Sequence, residues 1–168
     1  ARARRDVFTP RQFENPSNPL AHELTTGPEI LEQMGGSLAG FVAGVGTGGT
    51  LTGVGRVLRR TLGASVRLVA VEPARSAVLS GGRPGLHGIP GLGAGFVPPV
   101  FERQLIDRVV AVTDLEAERM AQRLAREEGL VVGPSSGANV HAALALATEA
   151  GQGDWVTVLC DGGERYLM

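Results

Sequence analysis

Apolar positions along the chain follow two rhythms. Four runs, at 38–45, 66–72, 108–112 and 155–160, are apolar almost without interruption and read as strands. Between them, at 50–61, 114–128 and 136–149, apolar residues return at the spacing that gives a helix one buried face. The second of these opens on Thr113-Asp114-Leu115-Glu116, a capping box. A further helix is predicted from Thr26 to about Met34, because Thr26-Gly27-Pro28-Glu29 pairs a capping box with proline in the first turn and Gly35-Gly36 stops it. Strands apolar on both faces that alternate with helices imply an α/β fold, a parallel sheet covered by helices on both faces.

Two segments break the rhythm. Residues 1–25 are expected to be irregular, since Pro10, Asn15, Pro16, Asn18 and Pro19 interrupt any period. Residues 73–106 are rich in glycine and proline, and a loop of that length inside a compact domain is usually functional. Arg11-Gln12-Phe13-Glu14-Asn15-Pro16 has no preceding element to close a domain. The expectation is one incomplete domain over 1–168, an irregular leading segment at 1–25 and an α/β core at 26–168, forming part of something larger.

Composition narrows the function classes. No apolar run is long enough to span a membrane, and no apolar stretch follows the basic start Ala1-Arg2-Ala3-Arg4-Arg5, so neither a membrane protein nor a signal peptide is indicated. A net charge of -1 gives no reason to expect a nucleic-acid or membrane surface. The single Cys160 cannot form an internal disulfide, which points to a reducing, cytoplasmic home. All 16 basic residues are arginine. A bias toward Arg is the plain cause, but the consequence is chemical: no lysine amine is available for a Schiff base or as a general base. The terminal amine of Ala1 is the one primary amine in sight.

The candidate chemistry sits where apolar runs give way to glycine. Phe41 to Gly55 holds six glycines in fifteen positions and reads as strand, glycine turn, helix start. That arrangement points free backbone N–H groups at a phosphate. Gly44, Gly46 and Gly49 satisfy the dinucleotide spacing, with Glu72 following at about the right distance for a ribose. Thr47 and Thr50 argue instead for a phosphate monoester wrapped by hydroxyls. A Cβ at Gly48 is expected to fill the space that the phosphate oxygens need. Glu72 reads better as a carboxylate at a loop edge. In Val132-Gly133-Pro134-Ser135-Ser136-Gly137, one serine suffices to cap a helix; Ser136 takes that role, leaving Ser135 free to point elsewhere. His87, in the glycine-rich stretch 87–96, has the chemistry of a base but reads as structural or solvated. No cluster has metal-ligand spacing, and no Gly-x-Ser-x-Gly elbow supports hydrolase chemistry.

Taken in order, Gln12-Phe13-Glu14-Asn15-Pro16-Ser17-Asn18-Pro19, Thr25-Thr26-Gly27-Pro28-Glu29-Ile30, Gly46-Thr47-Gly48-Gly49-Thr50, Gly91-Leu92-Gly93-Ala94-Gly95-Phe96, Ser135-Ser136-Gly137 and Gly162-Gly163-Glu164-Arg165-Tyr166-Leu167 form a familiar set. Together they resemble the carboxy-terminal portion, the larger domain, of the cysteine synthase (O-acetylserine sulfhydrylase) family. These are fold-type II pyridoxal-phosphate enzymes, grouped with cystathionine β-synthase. The resemblance implies pyridoxal 5'-phosphate as cofactor, its phosphate cradled by Gly46, Thr47, Gly48, Gly49 and Thr50 and its ring nitrogen bonded by Ser135. It assigns Gln12 to the substrate carboxylate, Gly93 and Ala94 to the wall beside the entrance, and Cys160 with Asp161 to a place near the ring. The implied reaction replaces the acetate of O-acetyl-L-serine with sulfide, giving L-cysteine. A homodimer and a serine acetyltransferase partner come with the same resemblance. The family's cofactor lysine and its asparagine/threonine loop are absent from these 168 residues, so no catalytic residue is assigned here. The chain is then either a portion of a longer enzyme, inactive by itself, or a truncated non-catalytic relative that binds a phosphate ligand or a partner. A nicotinamide-dinucleotide domain is the third reading.

Overall fold

A computed structural model describes residues 6–166. The expectations that fall on Ala1 to Arg5 and on Leu167, the Ala1 amine among them, lie outside the described residues. Four strands, β1 (Gly40–Gly44), β2 (Arg67–Pro73), β3 (Arg108–Val112) and β4 (Trp155–Thr157), form one sheet in the order β3-β2-β1-β4. Every neighbouring pair is parallel, with Phe41 opposite both Leu68 and Val156. Among the described residues five α-helices accompany them: α1 (Ser17–Leu24), α2 (Thr26–Gln33), α3 (Gly49–Leu62), α4 (Asp114–Glu127) and α5 (Pro134–Ala150).

The strands are apolar on both faces because both faces are covered. Phe41, Ala43, Leu68 and Ala70 turn to one side and bury against Leu51, Val54 and Leu58 of α3 and Ile30 of α2. Val42, Val69, Val71 and Val112 turn to the other and bury against Ala117 of α4 and Ala138, Ala142 and Leu146 of α5. Each such Val, Leu, Ile or Phe side chain stabilises the fold by about 1.5–3 kcal/mol, and each alanine methyl by less. This is the doubly covered parallel sheet of the sequence reading. Among the described residues, no helix is long and apolar enough to cross a membrane.

Four local expectations are corrected. Residues 17–24 are helical within the segment expected to be irregular. Pro16 stands at the N-cap and Pro19 in the first turn, where a missing N–H costs nothing, and Asn15 Oδ1 accepts from Ser17 N–H at 3.0 Å. Thr26 does not cap α2: the N-cap is Thr25, whose hydroxyl donates back to Ala21 O at 2.8 Å instead of capping, and the Thr26 hydroxyl lies 3.0 Å from His22 Nδ1. α5 begins at Pro134 with Gly133 as N-cap, so Ser136 sits inside the helix and caps nothing. β4 ends at Thr157 rather than at 160 because α5 side chains capture the backbone that follows. Asn139 Nδ2 donates to Val158 O at 2.9 Å, and Ser136 Oγ accepts from Cys160 N–H at 2.8 Å. The long loop 73–106 holds only short 3-10 turns.

The box at α4 forms as expected, with Glu116 N–H donating to Thr113 Oγ1 at 3.2 Å and Thr113 N–H to Glu116 Oε2 at 2.8 Å. The Thr113 hydroxyl and then its amide hold the Glu116 carboxyl below its ordinary value of 4.5. A carboxylate whose folded pKa lies below the unfolded one contributes stability above the unfolded value and loses it as pH falls through the folded one. Thr113→Ala is therefore expected to cost about 1 kcal/mol at neutral pH. In urea titrations the gap from wild type should narrow below pH 4.5; a gap that stays constant through acid would contradict this account of the cap.

Candidate functional site

β2 and β3 lie to one side of β1 and β4 to the other, so the connections diverge at the carboxyl ends of β1 and β4. A crevice at such a switch point is where open parallel sheets bind ligands. A cavity of about 330 Å³ occupies it. Gly46, Thr47 and Gly48 enter from the loop after β1, Thr50 from the first turn of α3, and Ser135 from the head of α5. Cys160, Asp161 and Tyr166 enter from the segment after β4, and Gly91 from the long loop. The first turns of both α3 and α5 thus face one space, with Gly49 N–H held by Thr47 Oγ1 and Ser136 N–H by the Gly133 carbonyl. Two helix N-termini make a favourable setting for an anion.

Close backbone approach shapes this cavity. A Cβ on Gly46 would collide with the Gly91 carbonyl oxygen. Gly93 N–H donates to Val45 O at 3.0 Å, which binds the long loop to the end of β1 as a wall. Gly48 has φ +82°, and a Cβ there would meet Phe101 at 2.7 Å. The space a side chain would fill at Gly48 therefore belongs to the core, not to a phosphate, which corrects the expected reason for that glycine. Thr47 Oγ1 accepts from Asn18 Nδ2 at 3.0 Å and from Gly49 N–H at 3.2 Å, while Thr50 Oγ1 lies 3.1 Å from His22 Nε2.

Ser135 is buried, 4% exposed, with its residue lining the cavity. Its neighbour Ser136 is consumed in holding Cys160 N–H. Burial pushes the Cys160 thiol pKa up, against a weaker opposite pull from its hydrogen bond with Ser135. The thiol therefore stays protonated near neutrality and is a poor nucleophile. Tyr166 Oη donates to Asp161 Oδ2 at 2.7 Å, and that bond, with burial, raises the phenol pKa.

The other candidates are placed as follows. Gln12 is exposed and outside the cavity lining, and its carbonyl accepts from Asn18 Nδ2 at 2.8 Å. Gly93 and Ala94 are half-buried and also outside the lining. His87 is structural: Nδ1 accepts from Ile89 N–H at 3.2 Å, leaving Nε2–H to donate to Gly93 O at 3.3 Å. Glu72 is 1% exposed rather than at a loop edge, and accepts from Leu79 N–H, Ser80 N–H and Ser80 Oγ. It has turned away from any ribose to hold the turn after β2, which removes the acidic partner of the dinucleotide reading. Among the described residues, no group of three His, Cys, Asp or Glu is placed to hold a metal ion. Asn18, His22 and Asn139 were missed by the sequence reading. Asn139 alone carried a signal, a polar residue one turn after Ser135 in an alanine-rich helix.

Residues 1–161 match the family described as Pyridoxal-phosphate dependent enzyme. A cysteine synthase of Staphylococcus aureus is 52% identical over 162 residues, covering 95% of this chain and 52% of the relative. The crystal structure of a cysteine synthase from Entamoeba histolytica superposes with a TM-score of 0.93 at 36% identity, covering 99% of this chain and 49% of that one. An O-acetylserine dependent cystathionine beta-synthase from Helicobacter pylori gives 0.92 at 43% identity, covering 99% and 54%. The chain thus spans about half the length of the curated relatives it matches.

The two serines have separable consequences. Ser136→Ala leaves the Cys160 amide without its acceptor and is expected to cost about 1–3 kcal/mol. Ser135→Ala, facing the cavity, should unfold close to wild type. Equal losses in chemical denaturation would sink this division of roles.

Proposed function

The chain belongs to the pyridoxal-phosphate dependent enzyme family, and on that premise we propose that it is the carboxy-terminal, cofactor-cradling portion of a cysteine synthase. One observation carries the proposal. A single cavity joins the glycine-threonine loop at the head of α3 to the Ser135 hydroxyl at the head of α5. Its residues fit the cofactor: amides and hydroxyls at a helix N-terminus suit a phosphate dianion, and a buried neutral hydroxyl suits a pyridine nitrogen. Gly46, Thr47, Gly48, Gly49 and Thr50 hold the phosphate, and Ser135 bonds the ring nitrogen. When bound, pyridoxal phosphate supplies a sink for negative charge developing on the substrate.

Ser135 sets the strength of that sink. A neutral hydroxyl, unlike a carboxylate, does not hold the ring nitrogen protonated. That suits loss of a β-leaving group, which needs no long-lived carbanion. Gln12 holds the substrate carboxylate, and Gly93 and Ala94 form the wall that limits access. The reaction replaces the acetate of O-acetyl-L-serine with sulfide to give L-cysteine and acetate. In this reading the complete protein is a cytoplasmic homodimer whose cleft accepts the tail of a serine acetyltransferase.

No lysine is present among the 168 residues, and this also favours a second reading: a relative that binds a phosphate ligand without catalysis. L-cysteine formed from O-acetyl-L-serine and sulfide by the native protein would exclude it. In the first reading the 168-residue chain holds the cofactor without a covalent anchor. Titration with pyridoxal phosphate should give saturable binding with free-aldehyde absorption, lost on dialysis. Borohydride treatment followed by mass spectrometry should find no internal adduct, whereas a stable reduced adduct within this chain would refute the assignment.

A further inference from the structure

α1 does more than cover α3. It sets Asn18 and His22 one turn apart on a single face, where each meets one threonine of the glycine loop. The approach is close: a Cβ on Gly49 would collide with the Asn18 amide, and one on Gly53 with the Pro19 carbonyl and His22. A hydroxyl has two lone pairs and one proton. Thr47 Oγ1 already accepts from Asn18 Nδ2 and Gly49 N–H, so its remaining capacity is to donate. At Thr50 the outcome depends on the His22 tautomer. Burial lowers the His22 pKa and keeps the ring neutral, with one nitrogen donating and the other accepting. Thr26 Oγ1, 3.0 Å from Nδ1, has a proton to give to that nitrogen.

Building on the phosphate-cradle reading, we propose that Asn18 and His22 are positioning residues that aim the hydroxyl protons of Thr47 and Thr50 at the ligand phosphate. Asn18 occupies Thr47's lone pair directly. His22 does so at Thr50 by carrying its proton on Nε2 while Nδ1 accepts from Thr26. A phosphate dianion offers only acceptors, so both hydroxyl protons are aimed where they are worth most. A ligand without the phosphate gains nothing from either.

The test measures binding of pyridoxal 5'-phosphate and of pyridoxal by calorimetry. His22→Phe and Asn18→Ala should each weaken the phosphate ester about tenfold, as for loss of one hydrogen bond to a charged group, and leave pyridoxal unchanged. His22→Phe should add nothing in a Thr50→Val background, because it acts through that hydroxyl. His22→Gln, with an amide N–H in reach of Thr50, should recover most of the loss. Should His22→Phe fail to fold, Asn18→Ala against Thr47→Val carries the same cycle. A preference for the phosphate ester that survives both α1 substitutions, additive losses, or an equal loss for pyridoxal would overturn this inference alone. Wild-type protein that binds pyridoxal as tightly as its phosphate would overturn the cradle reading itself.

Discussion

Parallel pairing on both edges of β1 is the constraint from which the site follows. Because β2 and β4 run the same way as β1, every strand ends at one edge of the sheet. Parallel neighbours cannot be joined by hairpins, so the chain crosses back between them, β1 to β2 through a helix. The head of α3 thus lies beside the carboxyl end of β1, its first amide held by the Thr47 hydroxyl rather than by a helix carbonyl. β4 on the far side of β1 brings the head of α5 and the Cys160 segment to the same edge. Glycine at Gly46 lets the long loop close over this edge, with Gly93 bonded to Val45. The cavity is the consequence of direction, order and one close approach.

Much of this was legible because it is local. β1, β2, β3, α3 and α4 follow from periodicity alone, and the α4 box needs only residues three apart. The glycine-threonine loop and Ser135 were legible because few other demands put such residues at a strand-to-helix junction. What escaped was set by partners distant in sequence. The end of β4 depends on Asn139 and Ser136 taking its backbone groups, and nothing within 155–160 announces that. Pro16 and Pro19 read as breakers because their place in a first turn is visible only once the helix exists. Asn18 read as a breaker of the period and His22 carried no signal, although they bond Thr47 and Thr50.

Residue type also misleads when its bonding capacity is already spent. Glu72 and His87 both carry chemistry on paper. Three donors converge on the Glu72 carboxylate, and both ring nitrogens of His87 have backbone partners. Ser136 is buried and polar like Ser135, yet its oxygen is committed to Cys160 N–H. Thr47 shows the opposite case. Its lone pairs are filled from the protein side, which leaves donation as its remaining capacity.

The arginine-only composition acquires a structural meaning on the same terms. Arg59 reaches the carbonyls of Gly63, Val66 and Leu105 at 3.1 Å each and Asp107 Oδ2 at 2.8 Å, fastening the end of α3 to β2 and to the close of the long loop. Arg56 bonds Glu23 of α1 and Glu102 of that loop, and Arg60 bonds Glu23 again. Each ion pair exposed to solvent contributes little, but a planar fork can hold two partners in fixed directions where a single ammonium is a mobile point charge. Arg56 and Arg60 therefore fix α1 on α3, and with it the seats of Asn18 and His22 against the loop threonines. The absence of lysine removes an amine from the chemistry of this chain, while the arginines in its place hold together the frame around the cavity.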